Sequence, residues 1–335
     1  MSQEGNSKRA HPLSYMLFTL SLVVLTPPLL IGVSLFIFIV TGKDDGMKPN
    51  AVDTWHEKVI QEGDDGKVAV IYAEGVIGED SQGGFFQPGL GTDDLLSQLD
   101  QAKDDPSVHA VVVRVNSPGG SVVASNELYQ KILEIKYEGK PVLVSMGETA
   151  ASGGYYISAP ADRIYANPYT ITGSLGVIMS VPDYSELAEK IGYRETVIKS
   201  GELKDIGNAL RDLTEEEVSV FQTMVTESYD GFVDVIAKGR NMKEEEVREL
   251  ADGRIYTGIQ AKENGLIDGF KTLDETIEEA KQLGEGENES VVEYQPSVPK
   301  LGDLLANWTS PAIHIGIDSA LKPGDAQIKL AYILK

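Results

Sequence analysis

Ser152 stands in the run TAASGGYYISAP (149–160), between small residues and an apolar, aromatic stretch that reads as helix. Two glycines follow it directly, as at a tight corner, where a serine is often no more than a small residue. The position also suits a nucleophile. The β-rich run KPVLVSM (140–146) leads into it, and the amide of Gly153 falls at a helix N-terminus, pointing toward developing negative charge. A second corner, NSPGGS (116–121), follows HAVVVRVN (109–116) and supplies Gly119 as another amide without a side chain. Two such donors would hold the oxyanion of a tetrahedral intermediate, each contributing about 3–4 kcal/mol to the transition state.

A serine nucleophile needs a base, and histidine is the usual one. The chain has four, His11, His56, His109 and His314. None has a good claim: the first precedes a long apolar run, the second lies in a polar stretch, and His109 opens a strand at the end opposite Gly119. His314 lies in a tail of uncertain structure. A neutral lysine is the alternative. Lowering its pKa by three units through burial costs about 4 kcal/mol, which the fold must supply. Lys190 sits among Glu186 and Glu189 and reads as surface, whereas Lys199 ends an apolar strand pattern and Lys204 follows the glycine corner SGELKD. Spacing does not separate the last two. The linear S-x-x-K at Ser297–Lys300 is flanked by proline without a helical pattern and reads as chance.

The elements that must position these residues alternate. KVAVIYAEGVIG (67–78) reads as a buried strand, and TDDLLSQLDQAKDD (92–105) puts Leu95, Leu96, Leu99 and Ala102 on one helical face. After 109–116 comes a helix through ASNELYQKILEIK, then the strand at 140–146. Twice a strand ends in a Gly-Gly corner that opens a helix, which predicts an α/β domain with largely parallel sheet and a site beyond the strand C-termini. Farther on, DRIYANP and YRETVIK (193–199) read as strands, ITGSLGVIMS (171–180) as a loop into a strand, and YSELAEKIG as a short helix. Thr214 with Glu217 makes a capping box before a helix reaching about Lys238, and two short helices follow in 243–269.

Composition bounds the function. The 335 residues include no cysteine, which excludes a disulfide framework, a thiolate metal site and a cysteine nucleophile. The net charge of −23 argues against nucleic acid as a partner. Leu13 to Thr41 carries no charge, and a bilayer core of roughly 30 Å needs about 20 apolar helical residues. The run is too long for a signal-peptide core, and VTGKDD offers no cleavage site, so residues 13–41 are expected to be an uncleaved transmembrane anchor, bent at Pro27 and Pro28. Lys8 and Arg9 balance Lys43 and Lys48, so charge alone leaves the orientation open. The expected organisation is an N-terminus over 1–12, the anchor over 13–41, a tether over 42–66 with room for a short helix, a catalytic domain over 67–282, and a C-terminal segment over 283–335 of uncertain role. The terminal AQIKLAYILK (326–335) is apolar and alternating; it suits either the chain's own groove, a neighbour's groove, or a packed edge strand.

Five pieces, VNSPGGSV, AASGGYYIS, TGSLGVI, KSGELKD and DGRIYTGIQAKENGLID, resemble in order the bacterial signal peptide peptidases of the SppA type, in their short single-domain form. The resemblance runs from about Lys67 to Lys281 and loosens over the final 50 residues. It implies a Clp protease/crotonase-like fold and a serine–lysine dyad without cofactor or metal. Ser152 would be the nucleophile, Lys204 the general base and Ser174 the residue that orients the amine, with Gly119 and Gly153 forming the oxyanion hole. It further implies bowl-shaped homo-oligomeric rings, an octamer being the expected form, in which serine and lysine of one site come from neighbouring subunits. The substrates implied are released signal peptides and other extended apolar peptides. The catalytic body would lie on the extracytoplasmic side, with residues 13–41 in lipid and residues 1–12 in the cytoplasm. The competing readings are an inactive membrane scaffold of the same fold and an acyl-CoA enzyme of the crotonase type.

Overall fold

The computed structural model describes residues 55–78, 91–286, 288–296 and 330–333. The expected anchor at 13–41, the motif at Ser297–Lys300 and His11 and His314 lie outside them. Among the described residues no helix is long and apolar enough to cross a membrane.

Valine-rich runs build the centre. Strand β1 (His56–Gln61) leads to β2 (Lys67–Glu74), helix α1 (Thr92–Asp104) and β3 (Val108–Ser117). A three-residue strand β4 (Gly119–Ser121) runs into α2 (Val122–Tyr137), followed by β5 (Val142–Ala151), α3 (Gly153–Ser158) and β6 (Arg163–Ala166). Strands β2, β3, β5 and β6 are parallel neighbours, as βαβ connections dictate. Both faces are covered, so the strands read as continuous apolar runs rather than alternating ones. Ala69, Ile71, Val111, Val113, Val115, Val142 and Val144 face one core, under Leu95 and Leu99 of α1 and Leu128 and Ile132 of α2. Val68, Val70, Ala110, Val112 and Leu143 face the other, closed by Ile277 and Ala280.

The remaining described residues add further strands to this sheet, the helices that flank it and, with β4, a second sheet of three strands. They comprise β7 (Ile171–Gly173), β8 (Ile178–Met179), α4 (Ser185–Ile191), a 3-10 turn (Glu202–Asp205), α5 (Glu215–Arg240) and α6 (Glu244–Leu250). Then come β9 (Ile255–Thr257), α7 (Gly258–Glu263), β10 (Gly269–Phe270), α8 (Leu273–Leu283), β11 (Ser290–Gln295) and β12 (Leu330–Ile333). The capping box is present: Glu217 N–H donates to Thr214 Oγ1 at 3.2 Å and Thr214 N–H to Glu217 Oε2 at 2.8 Å. Helix α5 ends two residues beyond the expected Lys238, with Asn241 in the left-handed region at φ 51°.

Three elements differ from expectation. Residues 56–61, placed in a tether by their polarity, form β1, which pairs antiparallel with β11. Strand β1 is exposed along most of its length, so it carries little hydrophobic signal. Strand β11, in a stretch interrupted by proline, inserts between β1 and β2 and extends the sheet beyond the expected end of the catalytic domain at 282. Residues 193–199, expected as a strand, have no regular structure. Their β-branched residues meet no partner ladder, and Ile198 is 96% exposed.

Candidate active site

Three parallel strands end side by side at the predicted residues. Strand β3 runs through Ser117 into Gly119, and Ser117 pairs with Ala150 of β5. Strand β5 ends at Ala151, next to Ser152, and Ala151 pairs with Gly173 of β7, next to Ser174. Ser152 N–H donates to Gly173 O at 2.8 Å, and Ser174 N–H to Arg254 O at 2.7 Å. The β5–β7 pairing thus sets Ser152 and Ser174 at adjacent strand ends, beyond the carboxyl edge where ligands of parallel sheets collect.

The two glycine corners touch, and that contact explains their composition. A Cβ on Gly153 would lie 3.1 Å from both Gly119 Cα and Gly120 N, and 2.6 Å from Ser125 Oγ. One on Gly154 would lie 2.7 Å from Ser117 O, and one on Gly120 1.9 Å from Ile77 O. Ile77 holds the outer side of β4: its N–H donates to Gly119 O at 2.9 Å, and its carbonyl accepts from Ser121 N–H at 2.8 Å. Gly119 takes φ 101°, which few other residues tolerate. Its N–H donates to Ser117 Oγ at 3.1 Å.

Ser152 is 1% exposed, and among the described residues its Oγ has no hydrogen-bond partner. Its backbone has φ 53° and ψ −116°. Ser174 is also at positive φ, 51°. Such conformations cost of order 1–3 kcal/mol and persist only where the surroundings enforce them.

The lysines separate by their partners. Lys199 Nζ donates to Asp205 Oδ1 at 2.5 Å and to Glu202 O at 2.7 Å, so its ammonium is occupied. Lys190 pairs with Glu186 on the surface of α4. Lys204, on the 3-10 turn, is exposed, and its amine bonds to no described residue. Among the described residues, then, the predicted nucleophile is buried without a partner and the predicted base stands in solvent. His109 pairs with the buried Glu289 at 2.8 Å and takes no part in this cluster.

A strand already lies beside the corners. β12 runs antiparallel to β4, with Ala331 opposite Ser121, Tyr332 opposite Gly120 and Ile333 opposite Gly119. On its other side it pairs antiparallel with β8. It is therefore the middle strand of three and not an edge strand.

Residues 134–286 match peptidase family S49. A protein of Enterococcus faecium named for signal peptide peptidase SppA is 36% identical over 297 residues, which is 83% of this chain and 86% of the relative. The chain belongs to the SppA family of serine proteases, peptidase family S49. Protease 4 of Haemophilus influenzae is 39% identical over 217 residues, 65% of this chain and 35% of the relative. A chloroplastic serine protease SPPA of Arabidopsis thaliana is 33% identical over 262 residues, 76% of this chain and 38% of the relative. The chain thus aligns with little more than a third of these two longer proteases.

Two groups at this S49 site have no signal in the local pattern. Asn116 Oδ1 accepts from Thr149 N–H at 3.1 Å and braces β5 just before the serine. Ser125, fully buried on α2, has an Oγ against Gly153 that finds no partner among the described residues. The strain at Ser152 gives a stability prediction. Ser152→Gly relieves the positive φ, whereas Ser152→Ala keeps it. The glycine variant is expected to melt higher by about 2–4 °C, equivalent to about 1 kcal/mol. Differential scanning calorimetry of the two variants checks this, and equal melting temperatures would contradict it.

Proposed function

We propose that this S49 protease is a membrane-anchored endopeptidase that cleaves extended apolar peptides, released signal peptides among them, with Ser152 as nucleophile and Lys204 as general base. The observation that carries the reading is the pairing of β12 in the groove between β4 and β8, where an extended segment runs along the glycine corner next to the serine. Main-chain pairing of this kind binds a peptide largely irrespective of its sequence. The substrate class is that printed in the name of the Enterococcus faecium relative.

The neutral amine of Lys204 takes the Ser152 proton as Oγ attacks the peptide carbonyl. The amides of Gly119 and Gly153 receive the oxyanion; being charged, it makes a stronger bond than Ser117 Oγ and displaces that hydroxyl from Gly119. Lysine then protonates the leaving amine, and water, deprotonated by the same lysine, releases the acyl group. Ser174, at the neighbouring strand end, orients the amine.

The base comes from a neighbouring copy in a homo-oligomeric ring. Three observations support this, and the first two are that among the described residues neither the buried hydroxyl nor the solvated amine has a partner. A third is the exposed apolar strip of Tyr184, Leu187, Ile191, Tyr193 and Ile198 beside the lysine's own segment, which suits a subunit contact. Residues 13–41 anchor the ring to the membrane, with the catalytic body on the extracytoplasmic side. Membership of a peptidase family sets aside the acyl-CoA alternative. Digestion of a synthetic signal peptide, with products mapped by mass spectrometry, tests the reading. Internal cuts by the wild type, absent with Ser152→Ala, are expected. Equal cleavage by both proteins would refute it.

A further inference from the structure

The turn that carries Lys204 is held by ions rather than by core packing. None of Glu202–Asp205 is buried, and the preceding residues have no regular structure. What holds the turn is a closed set of two cations and two anions. Asp205 receives Lys199 on Oδ1 at 2.5 Å and Arg211 Nε on Oδ2 at 3.2 Å. Its carbonyl accepts from Arg211 Nη2 at 3.2 Å, and the Glu202 carbonyl accepts from Lys199 at 2.7 Å. Arg211 is in turn fixed by a two-pronged contact with Glu217, at 2.8 and 2.6 Å. Glu217 is 1% exposed and also caps α5 through Thr214. The chain of contacts therefore runs from the rigid first turn of α5, through one guanidinium, to the residue directly after Lys204.

We propose that Arg211, seated on Glu217, is a positioning residue for catalysis: it fixes the Lys204 turn on α5 so that the amine is presented to its serine. This rests on Lys204 being the base. A planar guanidinium can grip two carboxylates and a carbonyl together, which a point-charge ammonium cannot. A misplacement of about 1 Å at a reacting group can cost about 10²-fold in rate.

The ionisable groups on the turn and next to it in the chain are Glu202 and Asp205 on it, Lys199 before it, Arg211 and Asp212 after it, and Glu215, Glu216 and Glu217 on the first turn of α5; Asp183, ahead of α4, shares a hydrogen bond with Asp212. Removing the Arg211 charge leaves Asp205 and Glu217 less compensated, which favours a charged amine next to them. A looser turn also leaves that amine in water. Both effects act in one direction: the rising limb of activity against pH moves to higher pH.

The test compares wild type, Arg211→Met, Arg211→Lys and Lys204→Ala by kcat and KM on a synthetic signal peptide from pH 6 to 10, with thermal melting and gel filtration alongside. For Arg211→Met, kcat at pH 8 is expected to fall about 10–100-fold with KM within about two-fold, and the limb to move to higher pH. Arg211→Lys, which keeps the charge but loses the fork, should recover the position of the limb and only part of kcat. Unchanged kcat and limb in Arg211→Met beside an inactive Lys204→Ala would overturn the positioning role and leave the base assignment standing. An equal loss at every pH would also overturn it, reducing Arg211 to a structural residue. Should Arg211→Met fail to fold, the lysine variant decides: wild-type kcat overturns the proposal, and a partial loss of kcat with KM and melting temperature near wild type supports it. An active Lys204→Ala would remove the base itself.

Discussion

Ser152→Ala is expected to lower turnover of an apolar peptide by about 10⁶-fold, the size of loss found when a serine nucleophile is removed from a protease. The size of the effect follows from where Oγ sits. It is buried, it has no partner among the described residues, and no bond of the fold depends on it. Its removal therefore costs chemistry and little else. The backbone of residue 152 still donates to Gly173 O and still accepts from Tyr156 N–H at 2.9 Å, so the corner stays closed. The groove is lined by backbone of β4 and β8, so peptide affinity should persist. Titration of the inactive variant with a labelled signal peptide should give a Kd close to the wild-type KM, and labelling by a fluorophosphonate should vanish. Full labelling of Ser152→Ala would place the nucleophile elsewhere.

Lys204→Ala should cost about 10³- to 10⁴-fold, at the upper end of what one general base contributes. Lys199→Ala differs in kind. Its ammonium is committed to Asp205 and Glu202, so its loss loosens the turn without removing a proton acceptor, and about 10-fold is expected. The pH dependence separates them further. Activity that rises with pH is expected of the wild type and of Lys199→Ala, and not of Lys204→Ala. The acid side has a separate origin. Hydrogen bonds from Arg211 hold both Asp205 and Glu217 down to about 2, below the usual carboxylate range, with Lys199 adding to the first and Thr214 N–H to the second. The stability these carboxylates lend the turn is whole above their unfolded values near 4 and is lost as pH falls from there toward 2. Thermal melting should therefore change little from this cluster between pH 5 and 8. A steep loss of the Arg211-dependent stability near pH 6 would contradict the assignment.

What the sequence made legible follows local chemistry. The valine runs at 68–73 and 110–115 sit between two apolar layers, so their uninterrupted hydrophobicity announced buried parallel strands. The glycine corners were legible because two backbones in contact leave no room for a Cβ, and the Thr214–Glu217 box because both its bonds are local. Long-range pairing left no such trace. Strand β1 has only Val59 and Ile60 to mark it, and both are exposed. Strand β11 finds its place between β1 and β2 from more than 200 residues away. YRETVIK has β-forming residues and no ladder to join. The order of Lys199 and Lys204 was open on spacing, and the choice of Lys204 came from the family resemblance alone. Arg211 carries no motif, since its meaning lies in reaching Asp205 and Glu217 together.

The measurement that tests the shared site most directly is complementation between two dead variants. Ser152→Ala and Lys204→Ala are dissociated, mixed in equal amounts, reassembled and assayed on a signal peptide. If each site takes its serine from one copy and its lysine from the next, random rings should regain about a quarter of wild-type activity. If serine and lysine act within one chain, no mixed ring holds a complete site, and activity stays at the level of the separate variants.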